Sequence, residues 1–264
     1  MKCTKRVLRL SIPIIGTAIL VFLLQRIVGF YNFAVQTVIQ NTWLTHSYRE
    51  PLTVMDILKE PFLVLMFGVS EFNAPFWCLK DMLVSSILIY VIRWLVKNVR
   101  RQVPFLVVLM ALAVVANRNI IVACLVGAIA GCLKQRAQLI TKKRIVSVGI
   151  IIPLIAFLIE NYFIIDIGFA CFLLAVSQIE QIKNLFELPV IQKLGSISFG
   201  VYALHWGVIN TVGLQIIVRL SKVFELDFVM LISLICCTVL TIVLAFVFRE
   251  TVEKMTAMLC RVFN

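Results

Sequence analysis

The chain has 264 residues, of which 62% are hydrophobic and only 14% charged, with a formal net charge of +12 at pH 7. Soluble globular domains carry roughly a quarter of their residues as charges, and no stretch here is polar and long enough to fold as one, so the composition predicts an all-α fold: a polytopic integral membrane helical bundle. The net positive charge would point to nucleic acid in a soluble protein. In a membrane protein it is read first by position, as an orientation signal beside anionic lipid, and nucleic acid is excluded as a partner on that ground.

In chain order, the stretch MKCTKRVLRLSIPIIGTAILVFLLQ has the basic start and apolar run of a signal peptide but no small-x-small cleavage site, so it reads as a retained first span over 10–29. A polar loop follows, NTWLTHSYREPLTVMDILKE, and then PFLVLMFG, too short to cross a bilayer at about 1.5 Å per residue. It predicts an interfacial or partly inserted helix within an external loop over 40–75. Further apolar runs at 76–96, 102–117, 119–133, 145–160, 162–178, 197–218 and 228–248 complete about eight spans of a single membrane domain over 1–264.

Basic residues alternate along these spans. Placing 18 of the 25 Lys and Arg on one side leaves Arg26, Arg49, Lys59, Lys80, Arg118, Arg219 and Lys222 on the other, which predicts a multi-pass protein of the cell membrane with both termini cytoplasmic. The eight cysteines include Cys78, Cys124, Cys132, Cys171, Cys236 and Cys237 in or beside apolar runs. They lack CxxC pairing, so they read as packing residues and no metal site is expected.

Three constellations can carry chemistry. In LGSISFGVYALHWGVIN, His205 lies about nine residues, or ~14 Å, into the apolar run, near the bilayer midplane, where a polar side chain must find a partner or line a wet cavity. Ser198, Tyr202, His205 and Trp206 share one helix face at i, i+4, i+7 and i+8. That stripe suits a cleft or simple helix packing. In FNAPFWCLKDMLVSS, Lys80 and Asp81 follow Trp77 by about one turn; an acid there can orient a hydroxyl or move a proton, or merely be solvated at headgroup depth. In TKRVLRLSIP, Arg6 and Arg9 stand three apart at the mouth of the first span, where paired guanidinium groups suit phosphates and also suit ordinary positive-inside topology. His46, in the polar loop, has no metal-like neighbour in sequence and reads as a surface residue.

Taken in order, KRVLRLSIP, FWCLKDM and above all LGSISFGVYALHW resemble the membrane-bound acyltransferase-3 family, which acylates sugars and related acceptors at the cell envelope. Leu194, Gly195, Ile197, Ser198, Phe199, Tyr202, His205 and Trp206 match its late-span pattern. Phe76, Trp77, Leu79 and Asp81 are similar to its Phe-Trp-x-Leu-x-Glu pattern, with Asp81 where glutamate is usual, and FRETVEKM is similar to its closing segment. The resemblance implies acyl-CoA, commonly acetyl-CoA, as donor, with its phosphates held by Arg6 and Arg9. It also implies a saccharide or lipid-linked sugar acceptor whose path is lined or supported by Asp81, Tyr202 and His205. Imidazole suits proton transfer near neutral pH. Family members usually begin with two further spans, the first of which carries the principal histidine; this chain starts just before the arginine motif. It is therefore expected to be an N-terminally shortened member, as a fragment, a misplaced gene start or a divergent protein that has lost activity, with His205 in a supporting role. A transporter or flippase-like protein and a noncatalytic membrane partner are the alternatives. The sequence does not speak to oligomeric state.

Overall fold

A computed structural model describes residues 2–40, 48, 50–134, 162–176 and 179–262. Every regular element among them is helical. The expected span at 145–160, the basic loop at 134–144 apart from Lys134, and His46 lie outside the described residues.

The chain forms two compact units: residues 3–80 with 194–264, and residues 81–193. In the first unit, α1 (Lys2–Ile27) holds the first apolar run. A loop with a 3₁₀ turn at Ala34–Thr37 leads on to α2 (Val54–Phe62). Thr53 starts α2 as a reciprocal cap: its hydroxyl accepts from Asp56 N–H while its own N–H donates to the Asp56 carboxylate at 2.8 Å, satisfying donors that a helix start otherwise leaves orphaned. The α2 helix runs on into a π-turn at Leu63–Phe67 and stops at Gly68, whose φ of 70° is left-handed. A residue without Cβ adopts that conformation freely. The apolar octet at 61–68 is thus the end of a helix that begins earlier, at Val54.

After a 3₁₀ turn at Ala74–Phe76, α3 (Trp77–Leu95) runs into the second unit. There α4 (Val99–Val115) and α5 (Asn119–Lys134) form a tight hairpin. Its turn is set by Asn117 at φ 52° and by an Arg118 N–H bond to the Ala113 carbonyl at 2.9 Å, the left-handed helix ending that Asn tolerates. These helices and α6 (Tyr162–Val176) share an apolar core around Ile92, Leu106, Val122 and Leu125, with Ile167 packed on it. The short α7 (Glu180–Phe186) follows.

The first unit is completed by one long helix in three parts: α8 (Pro189–Val208), a π-turn at Ile209–Gly213, and α9 (Leu214–Leu220). A second long helix returns as α10 (Leu226–Phe248), a π-turn at Arg249–Glu253, and α11 (Lys254–Val262). Among the described residues, the helices at Cys3–Ile27, Ala74–Leu95, Pro189–Leu220 and Leu226–Val262 are long and apolar enough to cross a membrane. The chain is a polytopic membrane helical bundle. Glycines set how closely the helices of the first unit approach. A Cβ on Gly200 would lie 3.1 Å from Ala245 Cα, and one on Gly207 would lie 2.6 Å from Val21 Cγ2. Small residues at such crossings let helix backbones meet, and dispersion holds them there.

Candidate functional site

His205 lies sixteen residues after Pro189 and fifteen before Leu220 in the long helix, about 24 Å from its start at helical rise. The helix begins eight residues earlier than its apolar run suggests, and His205 still sits at its middle. Its Nδ1 lies 2.8 Å from the Tyr202 carbonyl oxygen and 3.2 Å from that of Val201. A carbonyl only accepts, so in the neutral imidazole Nδ1 carries the proton and Nε2 keeps its lone pair.

The ring lines a groove of about 850 Å³ between α8–α9 and α10. Most of the lining is apolar: Ile197, Ile209, Leu214 and Leu234 are among its walls. Three of its hydroxyls are occupied close to home, Ser198 on the Gly195 carbonyl (2.8 Å), Ser233 on Gly213 (3.0 Å) and Thr238 on Leu234 (2.8 Å), and Thr241 lines it as well. His205 is therefore the nitrogen base among the residues that line the groove, and the cavity's mostly apolar walls accept an apolar chain more readily than water.

The expected stripe divides in two. Ser198 and His205 line the groove, but Tyr202 and Trp206 do not. Trp206 packs instead with Ala18, Val21, Tyr48 and Phe72 in an apolar cluster, and the Tyr202 hydroxyl donates to the Pro75 carbonyl and lies 2.9 Å from Cys78 Sγ. The reason is angular. At 100° per residue Ser198 and His205 differ by only ~20°, whereas Trp206 is ~80° from Ser198, far enough to face another neighbour. Tyr202 still stands beside His205, their ring centroids 6.2 Å apart.

Asp81 belongs to the second unit, where its carboxylate faces Arg118 at 4.0 Å and is mostly covered. Arg6 and Arg9 lie near the start of α1, Arg6 half-buried and Arg9 exposed. Among the described residues no cluster of three His, Cys, Asp or Glu is placed to hold a metal ion.

A polar cluster that the motifs did not single out lies next to this helix. Glu60, on α2, is fully buried. Its carboxylate accepts from the Ser70 hydroxyl, from Glu71 N–H (3.2 Å) and from Phe72 N–H (3.4 Å). Burial pushes this carboxyl above the ordinary carboxylate range, and the bonds from Ser70, Glu71 and Phe72 oppose the shift. Ser70 Oγ accepts from Asn73 N–H at 2.8 Å, and the buried Asn73 amide donates to the Ala203 carbonyl at 2.8 Å. Glu60 falls three residues after Ile57 and four before Val64, both buried. An acid in that apolar register was the available signal.

The family model described as Acyltransferase domain matches residues 1–250. The chain belongs to the acyltransferase-3 family. No curated protein and no solved structure matches it. In this acyltransferase-3 protein the late motif around LGSISFGVYALHW thus does two jobs: Ser198 and His205 open onto the groove, while Tyr202 and Trp206 fasten the helix to its neighbours.

Proposed function

We propose that this chain transfers an acyl group from acyl-CoA, acetyl-CoA being the first candidate, to a hydroxyl of a saccharide or lipid-linked sugar. The observation that carries the reading is His205: a histidine at mid-helix that lines the groove, with its Nδ1 against backbone carbonyls. Family membership supplies the reaction class.

In this reading Arg6 and Arg9 hold the donor's phosphates at the cytoplasmic end of α1. Val21 lies against Gly207, so Arg9 stands about 15–18 Å below the level of His205 at helical rise, a span that the extended pantetheine arm of CoA covers. The acceptor hydroxyl oxygen attacks the thioester carbonyl while His205 Nε2 takes its proton, a role beyond the supporting one that the family pattern implies. The C–S bond then breaks, the ester forms, and the thiolate of CoA leaves and is reprotonated. Tyr202 holds the ring's backbone partner in place. The family resemblance assigns Asp81, which faces Arg118, to support of the acceptor path.

A chromatographic assay following labelled acyl groups from acyl-CoA into a sugar acceptor tests this. Replacing His205 by Gln keeps a similar shape without a base. The loss expected is roughly 10²-fold or more in acyl transfer, the usual contribution of a positioned general base. Full activity in H205Q would remove His205 from proton transfer.

A further inference from the structure

The segment between Gly68 and Ala74 has no regular hydrogen bonding of its own, yet it is tied to the middle of a membrane helix. Ala203, which receives the Asn73 amide, lies fourteen residues after Pro189 and seventeen before Leu220, about 21 Å and 26 Å along the axis at helical rise. That places the contact inside a hydrocarbon layer of roughly 30 Å. Irregular backbone persists at such depth only when protein satisfies its polar groups. Here Glu60 does so for two consecutive N–H groups, Glu71 and Phe72, and Ser70, itself bonded to Glu60, does so for Asn73.

The pinned segment grips the helix immediately before His205. Asn73 holds the Ala203 carbonyl, and Pro75 receives the Tyr202 hydroxyl. Phe72 is buried in the cluster that contains Trp206, and its carbonyl takes the Tyr48 hydroxyl at 2.6 Å. Residues 202, 203 and 206 are thus fixed on the face turned from the groove, and the residue left facing the groove is His205. The glycine contacts set how close this helix sits to its neighbours, whereas the hydrogen bonds at 202 and 203 are directional and set its rotation.

We propose that Glu60 is a positioning residue for the acyl-transfer site. Its buried carboxylate holds segment 70–76 in place, the segment fixes the rotation of α8 at Tyr202–Ala203, and that rotation aims Nε2 of His205. The role rests on the acyltransferase reading above; the pinning itself does not. Misplacing a catalytic group by about 1 Å from a remote site can cost on the order of 10² in rate, so the effect belongs in kcat rather than in donor KM.

The test uses the full chain and two readouts. Cys78 is half-buried and lies against Tyr202 and the Pro75 carbonyl, so its reaction with maleimide, mapped by peptide mass spectrometry, reports release of the segment without reference to activity. Glu60→Ala and Asn73→Ala should each speed Cys78 labelling and lower kcat at least tenfold, with KM for acyl-CoA within twofold. Glu60→Gln keeps an acceptor for Ser70 and Phe72 but loses that for Glu71, and should fall between wild type and Glu60→Ala in both readouts. Monodisperse elution in detergent establishes that the variants fold. Unchanged Cys78 labelling in both alanine variants overturns the pin; faster labelling with unchanged kcat overturns the positioning role. An inactive wild type with faster labelling in the variants would sink the acyltransferase reading, and the positioning role with it, while upholding the pin.

Discussion

Arg6 and Arg9 share the end of α1 but not its surroundings. Arg6 is half-buried, with a buried Nε that has no hydrogen-bond partner among the described residues, whereas Arg9 is exposed. The sequence spacing put both at the mouth of the span but could not distinguish them, because that difference depends on what packs against α1. Arg9 is the more accessible guanidinium for a phosphate, and a lysine there keeps the charge but loses the planar two-point contact. Arg9→Lys should weaken acyl-CoA binding about tenfold, one charge-assisted bond's worth, with membrane insertion unaltered. Calorimetry on purified protein checks this, and equal affinities would take Arg9 out of the donor site. Glu60 shows the opposite limit of legibility: the sequence does register an acid among apolar positions, but only the fold shows that it serves the backbone of residues 71 and 72.

Among the elements, the late helix was the most legible, and the reason is that its motif is dense in residues that tolerate few environments. His205 at mid-helix follows from composition and spacing, whereas the close approach of Gly200 and Gly207 but not of Gly195 depends on what packs against each. Nor does the division of the Ser198 to Trp206 stripe follow from spacing, since the ~100° between His205 and Trp206 can face one partner or two, and only the arrival of segment 70–76 decides it. The glycines give a sharp prediction. A Cβ at Gly200 would meet backbone atoms of Ala245 at 3.1–3.2 Å, while one at Gly195 would meet nothing within 4 Å. Backbone cannot swing aside as a side chain can, so Gly200→Ala should cost about 1–3 kcal/mol, the range of overpacked sites. Gly195→Ala should be neutral or slightly stabilising, because alanine is the better helix former by up to about 1 kcal/mol. Thermal melting followed by size-exclusion chromatography would separate the two, and equal midpoints would mean that α8 and α10 are not in contact at Gly200.

At the scale of the whole molecule, the apolar runs at 10–29, 76–96, 197–218 and 228–248 fall on the four helices long and apolar enough to cross a membrane among the described residues, while the division into two units is a matter of which helices pack together, on which periodicity is silent. The basic residues make a further prediction about sidedness. Cys3 is exposed near the start of α1, next to Lys5, Arg6 and Arg9, and positive charge favours the cytoplasm. In intact cells Cys3 should resist a membrane-impermeant maleimide and react with a permeant one; labelling by both would reverse the orientation. One contact also fixes a property that holds in either orientation. Cys260, near the end of α11, lies 3.9 Å from the Lys5 carbonyl, and Val252 and Phe248 lie against Gly16. The first and last long helices therefore run side by side in opposite directions, and their outer ends share one surface of the bilayer. Whatever path the chain takes between Lys5 and Cys260, it crosses an even number of times. Complementary halves of a split fluorescent protein fused at the two ends of this polypeptide would consequently meet in a single compartment.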